Sequence, residues 1–244
     1  MPQAAAKTPH RHSARILVKE TWKARANLSF FLALLVLFVF VLPLTSLVEK
    51  HISVYVDIGY SLLLISGIAI GWGRSWLFYM GAATGIIGLL VRWGGWWYPT
   101  ISRFREPTTL AAIFFLILLL TVRVFRKGPV SGSRLTGAVA LYLLLGLLWA
   151  HFYLVFNQDR PDAFVTTDNT PHTVAGWTYF SFITLTTVGY GDIIPKAPAA
   201  RMLAVGEALT GQLYLAVMLA RLVALQVSGD LGKHSAADTE EIED

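Results

Sequence analysis

The sequence predicts an all-α membrane protein: six transmembrane helices, with a shorter re-entrant helix and loop between the fifth and the sixth. Three observations carry that expectation. Of the 244 residues, 55% are hydrophobic and only 14% charged, with a mean hydropathy of +0.57, whereas soluble domains carry about 25% charged residues. Six apolar runs approach the ~20 residues that a bilayer core requires. Between the last two, residues 173–187 are apolar but too short to cross and return as two helices. Non-helical backbone at membrane depth is tolerated only where protein buries it or a wet cavity lines it.

Residues 1–27 hold Lys7, Arg11, Arg15, Lys19, Lys23 and Arg25 against one acid, Glu20. Beside a membrane span such a segment marks the cytoplasmic side rather than nucleic-acid binding. Residues 13–25 suit equally an amphipathic helix lying on the inner surface and a solvated tail. The apolar run that follows is of full span length, so it is expected to be retained rather than cleaved.

The spans are expected at 28–48, 52–71, 76–91, 109–124, 136–156 and 199–226. Trp72, Trp76, Trp93, Trp96, Trp97 and Tyr98 fall at span ends, where aromatics settle at headgroup level. Small-residue patterns at 67–71 and 81–85 would let the second and third helices approach closely. With the N-terminus inside, thirteen of the twenty Lys and Arg residues fall on the cytoplasmic side and seven outside. Both termini are therefore expected in the cytoplasm. Four regions follow: a basic segment 1–27, a four-helix front bundle 28–127, a region 128–227 holding the last two spans, and an acidic, disordered tail 228–244.

Residues Thr186-Thr187-Val188-Gly189-Tyr190-Gly191-Asp192 sit between the short apolar stretch and the last span. This segment and its context resemble the pore module of potassium channels, and the chain is similar to bacterial six-helix members of that family over about 136–226. The resemblance implies a potassium-selective channel with K+ as the permeant ion and no other cofactor. Carbonyls of Thr187, Val188, Gly189 and Tyr190, with the Thr187 hydroxyl, would replace the ion's hydration shell. Gly189 and Gly191 would take backbone angles barred to residues with a Cβ, and Val188 and Tyr190 would brace the wall. One loop supplies a quarter of each oxygen ring, so three further copies of the chain are the implied partners, in a homotetramer embedded in lipid. A pore helix over 174–186 would aim the negative end of its dipole at the ion, packed through Tyr179, Phe180 and Phe182. Asp192 would stand at the outer mouth. Ile183 occupies the position where some bacterial members carry a glutamate.

Gly211 lies nineteen residues after Asp192, the spacing of the hinge glycine in bacterial relatives; it reads either as a hinge or as a close-packing glycine. Gln212, Leu215, Leu219 and Val223 share a helical stripe that would face the pore. Glu207 is an acid inside a span, costly unless paired or wet; it would bond the back of the pore helix or titrate as a proton sensor. Asp57 in the second span poses the same problem, with a basic partner or a wet crevice as its answers. A voltage sensor needs arginines at every third position of the fourth helix. Residues 109–121 have none, so strong voltage gating is not expected.

Two other classes compete with the channel. A potassium-uptake carrier with related loops would repeat them within one chain, and this chain has one copy. A membrane enzyme would need a constellation that is missing: the chain has no cysteine, His51, His151 and His172 stand apart, and no His/Glu metal spacing or serine-nucleophile turn is present. The expected setting is a cell membrane, of the bacterial inner-membrane type.

Overall fold

A computed structural model describes residues 27–41, 52–70, 76–125, 132–166 and 173–243. Residues 1–26 of the basic N-terminal segment, the last third of the first expected span (42–48), His51, Trp72, the connector 128–131 and His172 lie outside these residues. Among the described residues, eight helices run in chain order: α1 (Asn27–Phe40, its end overlapping a π-helical turn, Leu37–Val41), α2 (Ile52–Ile70), α3 (Trp76–Gly94), the single turn α4 (Pro99–Ser102), α5 (Arg105–Val124), α6 (Gly132–Asp159), α7 (Val174–Leu185) and α8 (Pro198–Glu243). Of these, α3, α5, α6 and the first part of α8, Pro198–Arg221, are long and apolar enough to cross a membrane; α1, α2 and α7 supply shorter apolar stretches.

Helix α6 is the shared wall of the molecule. One face packs Ala140, Leu141, Leu144 and Leu147 against Phe31 and Leu35 of α1, Tyr60 and Leu63 of α2 and Ile113 to Leu120 of α5. Further along, Ala150 and Tyr153 join a second core with Trp177, Phe180 and Ile183 of α7 and Ala200 of α8. Aliphatic side chains stacked at helical spacing hold the first core. Aromatic rings at edge-to-face angles hold the second: Phe164 lies 4.7 Å from Trp177 and Phe180 lies 5.0 Å from Tyr153.

Three features differ from the sequence expectation. Gly67 and Gly81 face α5, where a Cβ on either would press on Leu116 or Leu119, whereas Gly85 and Gly88 are the described α3 glycines that meet α2, through Ile68 and Leu64. A two-stranded antiparallel ribbon, β1 (Phe164–Thr166) and β2 (Ile193–Pro195), joins the segments either side of α7. Both strands are three residues long, too short for a period-two pattern to show. Finally, over the segment expected as an acidic, disordered tail, the backbone is helical to Glu243. Extending an existing helix needs no new nucleus, and Ala236, Ala237, Glu240 and Glu241 are strong helix formers.

Candidate functional site: the 186–192 loop and its supports

Helix α7 begins where the Thr173 side chain accepts a hydrogen bond from the Gly176 backbone N–H at 3.2 Å, capping its first turn. It ends at Leu185, after twelve residues. The following loop folds back on it: Thr187 N–H donates to the Thr184 carbonyl, while Val188 and Gly189 N–H both donate to the Ile183 carbonyl at 2.8 and 3.1 Å. Those are carbonyls that a helix end otherwise leaves without partners.

From there the backbone alternates. Thr187, Gly189 and Gly191 have φ of +60°, +54° and +83°. A Cβ built on Gly189 or Gly191 would meet nothing within 4 Å, so torsion rather than space calls for glycine at both. Thr187 is the only described non-glycine residue with positive φ; the left-handed region costs such a residue about 1–2 kcal/mol. The sequence reading named the two glycines and missed Thr187, because threonine gives no local signal for that conformation. Within one chain, Val188 and Tyr190 are 52% and 73% exposed. Gln212 of α8 reaches the loop, its amide Nε2 lying 3.4 Å from Thr187 Oγ1. The Tyr179 hydroxyl of α7 hydrogen-bonds Asp192.

Behind the loop, Gly211 of α8 meets the end of α7. A Cβ there would collide with the Leu185 carbonyl oxygen and lie 3.0 Å from its carbonyl carbon. Of the two roles read for Gly211, close packing is the one these contacts display, and α8 runs on as helix through it. Leu215, Leu219 and Val223 are exposed along α8 with Gln212. Glu207 is completely buried. Its Oε2 accepts from the Tyr153 hydroxyl of α6 at 2.7 Å, and its Oε1 lies 2.5 Å from Ser181 Oγ of α7. Its contact is therefore with the back of α7.

The front bundle carries a second polar network. Asp57 of α2 is 1% exposed and bonds Arg92 of α3 at 3.2 Å and Arg105 of α5 at 2.9 Å; Trp96 Nε1 donates to it at 2.9 Å. The Arg92 guanidinium sits 4.4 Å above the Tyr60 ring. The Tyr60 hydroxyl meets His151 Nε2, and His151 Nδ1 lies 2.8 Å from Glu106 Oε2. A ring that donates from Nδ1 and accepts at Nε2 satisfies both contacts. Two arginines thus balance two acids, and the network ends on α6. His151, read from the sequence as isolated, is a bridge between the front bundle and α6. It stands two residues from Tyr153, about 200° around the helix, so α6 presents one polar group to each side. Trp96, read as part of an interfacial belt, has a buried carboxylate as its partner.

The comparisons with known proteins bear on α6 to α8. A family model described as "Ion channel" matches residues 138–227. The chain is 33% identical over 98 residues to two pore potassium channel c of Oryza sativa subsp. japonica, covering 40% of this chain and 21% of that protein. It is 36% identical over 100 residues to the inward rectifier potassium channel Kirbac3.1 of Paramagnetospirillum magnetotacticum, covering 39% and 30%. Protein LctB of Bacillus caldotenax is 32% identical over 110 residues, 43% of this chain and 81% of that protein. The matched part spans about a fifth of the plant relatives' own length. No solved structure matches the chain. With several apolar helices of membrane-crossing character, this is a multi-pass membrane protein, and the chain belongs to the potassium-channel pore-module family.

Proposed function

We propose that this chain is one quarter of a homotetrameric, potassium-selective channel whose filter is 186–192. The observation that carries the reading is the backbone alternation at Thr187, Gly189 and Gly191, held at the end of an apolar helix that stops short of crossing. Turning every second residue left-handed makes a narrow ribbon whose carbonyls can line one axis, the requirement for replacing a cation's water with oxygen. K+ is the substrate and no other cofactor is invoked. Ligands would come from Thr187, Val188, Gly189 and Tyr190, with Gly191 completing the ribbon and Asp192 held at the mouth by Tyr179. The exposure of Val188 and Tyr190 supports assembly: neighbouring copies would cover side chains that a single chain leaves open.

In this arrangement α1, α2, α3, α5, α6 and α8 are the six spans, α7 is the pore helix, and both termini lie in the cytoplasm. Gln212, Leu215, Leu219 and Val223 line the inner vestibule, and any bending at Gly211 has to preserve its contact with Leu185. The front bundle supplies no row of arginines on α5. Arg92 and Arg105 are engaged with a buried acid, so opening is weakly dependent on voltage.

The test is reconstitution in liposomes with opposed K+ and Na+ gradients. The expected result is discrete openings that reverse near the K+ equilibrium potential. Tyr190→Asp should abolish the preference for K+ while leaving a four-copy assembly; unchanged selectivity in that variant overturns the filter assignment.

A further inference from the structure

Three short oxygen–oxygen contacts meet behind α7. The Tyr153 hydroxyl lies 2.7 Å from Glu207 Oε2, Glu207 Oε1 lies 2.5 Å from Ser181 Oγ, and Ser181 Oγ lies 2.7 Å from the Gly146 carbonyl oxygen. Each contact at such a length needs one hydrogen between its oxygens. Tyr153 has one to give and Ser181 has one. The Gly146 carbonyl has none, so the third hydrogen has to belong to the carboxyl group. We infer that Glu207 is an un-ionised carboxylic acid that positions the pore helix: its Oε1–H donates to Ser181, Ser181 donates to the Gly146 carbonyl, and Tyr153 donates to Oε2.

Burial and packing support the same assignment. Glu207 and Ser181 are both completely buried, where a carboxylate without a cation is costly. No cation is among the hydrogen-bond partners of Glu207, and the other ionisable groups on these helices that bear on the question have contacts of their own. Tyr142 packs on Tyr214, with ring centroids 5.7 Å apart, and Tyr153 already donates to Glu207. Tyr179 is held by Asp192, Arg201 donates to the Pro195 carbonyl, and Tyr214 donates to the Ala138 carbonyl. An ionised Glu207 would claim the Ser181 hydrogen, leaving Ser181 Oγ and the Gly146 oxygen facing each other lone pair to lone pair. Relief would require α7 to draw away from α6 where the two pack tightly, a Cβ on Gly146 lying 2.6 Å from the Phe182 ring. Because α7 carries the 186–192 loop, its displacement would be felt there. That consequence rests on the filter reading; the protonation state does not.

The test has two arms on the full-length assembly. In the infrared, wild type minus Glu207→Gln near neutral pH should contain the carbonyl stretch of an un-ionised acid, shifted by deuterium exchange. A carboxylate band in its place overturns the inference. In K+ flux, Glu207→Gln copies the neutral acid, because its amide N–H can donate to Ser181 and its carbonyl can accept from Tyr153. It should stay within about twofold of wild type, whereas Glu207→Ala and Ser181→Ala lose about tenfold or more, the scale of one orphaned buried hydrogen-bonding group. A glutamine variant as damaged as the alanine variant overturns the positioning role. If wild type itself shows no K+ preference, the filter reading fails and the infrared arm still decides the state of Glu207.

Discussion

Gly211→Ala separates two readings of one glycine by the sign of its effect on stability. In an unobstructed helix interior, alanine is favoured over glycine by about 0.8–1 kcal/mol. A glycine present only to let α8 bend should therefore stabilise the fold when replaced. The surroundings of Gly211 predict the reverse. Its added Cβ would lie 3.0 Å from the Leu185 carbonyl carbon and 3.1 Å from Leu185 Cδ1, short of the 3.4 Å at which ordinary contact begins, and it would overlap the carbonyl oxygen. Backbone cannot swing aside as a side chain can, so α7 and α8 would have to separate. Overpacking of this kind costs about 1–3 kcal/mol, and a backbone clash belongs at the upper end. Subtracting the propensity gain leaves a net loss of about 2 kcal/mol. Gly206, five residues earlier on α8, is the internal control: its nearest neighbour would be Trp149 Cη2 at 3.6 Å, so Gly206→Ala should gain up to about 1 kcal/mol. Thermal unfolding in detergent, followed by tryptophan fluorescence, reads both. A Gly211→Ala protein as stable as Gly206→Ala would refute the close-packing argument. The same variant should lose selectivity for K+, since Leu185 directly precedes the 186–192 loop; reduced opening with intact selectivity would favour the hinge.

Asp57→Ala leaves Arg92, itself 1% exposed, without its carboxylate, and should destabilise the front bundle by about 3–5 kcal/mol in the same unfolding assay. His151→Ala removes the group joining Glu106 to Tyr60; it should cost about 1–3 kcal/mol, and on the proposed filter reading it should leave K+ over Na+ selectivity unchanged, since α7 and its loop pack on the other face of α6. Gly189→Ala forces a Cβ onto a backbone at φ +54° in open space, for a torsional cost of about 1–2 kcal/mol. In the bi-ionic reversal potential it should appear as weakened K+ preference without loss of assembly. Gln212→Leu removes the amide beside Thr187 and should lower single-channel conductance several-fold, the scale of one weakened polar contact of about 1 kcal/mol, with unfolding temperature unchanged.

The elements legible in the sequence are those whose physics is local. The apolar runs of α2, α3, α5, α6 and α8 and the short length of α7 follow from residue-by-residue hydropathy. Gly189 and Gly191 could be assigned positive φ because no other residue is at ease there. Thr187 has the same backbone sign and carries no such mark. The roles of Gly67 and Gly81 depend on which helix lies alongside, and α5 rather than the sequence neighbour supplies the packing surface. Beyond residue 227 two local signals oppose each other: an acidic composition that suits a solvated tail, and a position at the end of a long helix that favours continuation.

The two buried acids show where reading stops and why. Asp57 and Glu207 each stood out as an ionisable group in an apolar run, and the cost of that placement required partners for both. The sequence cannot say which partners, because a satisfying group comes from whatever helix packs across. Asp57 finds two guanidinium groups 35 and 48 residues away, and is held by charge. Glu207 finds two hydroxyls, 54 and 26 residues away, and nothing positive among its hydrogen-bond partners. The same side-chain chemistry thus has two opposite solutions in one chain. Around Asp57 the buried charges sum to neutrality across α2, α3, α5 and α6. Around Glu207 neutrality comes from a proton, so this acid is the one whose state can change without breaking an ion pair, and it stands against the helix that carries the 186–192 loop.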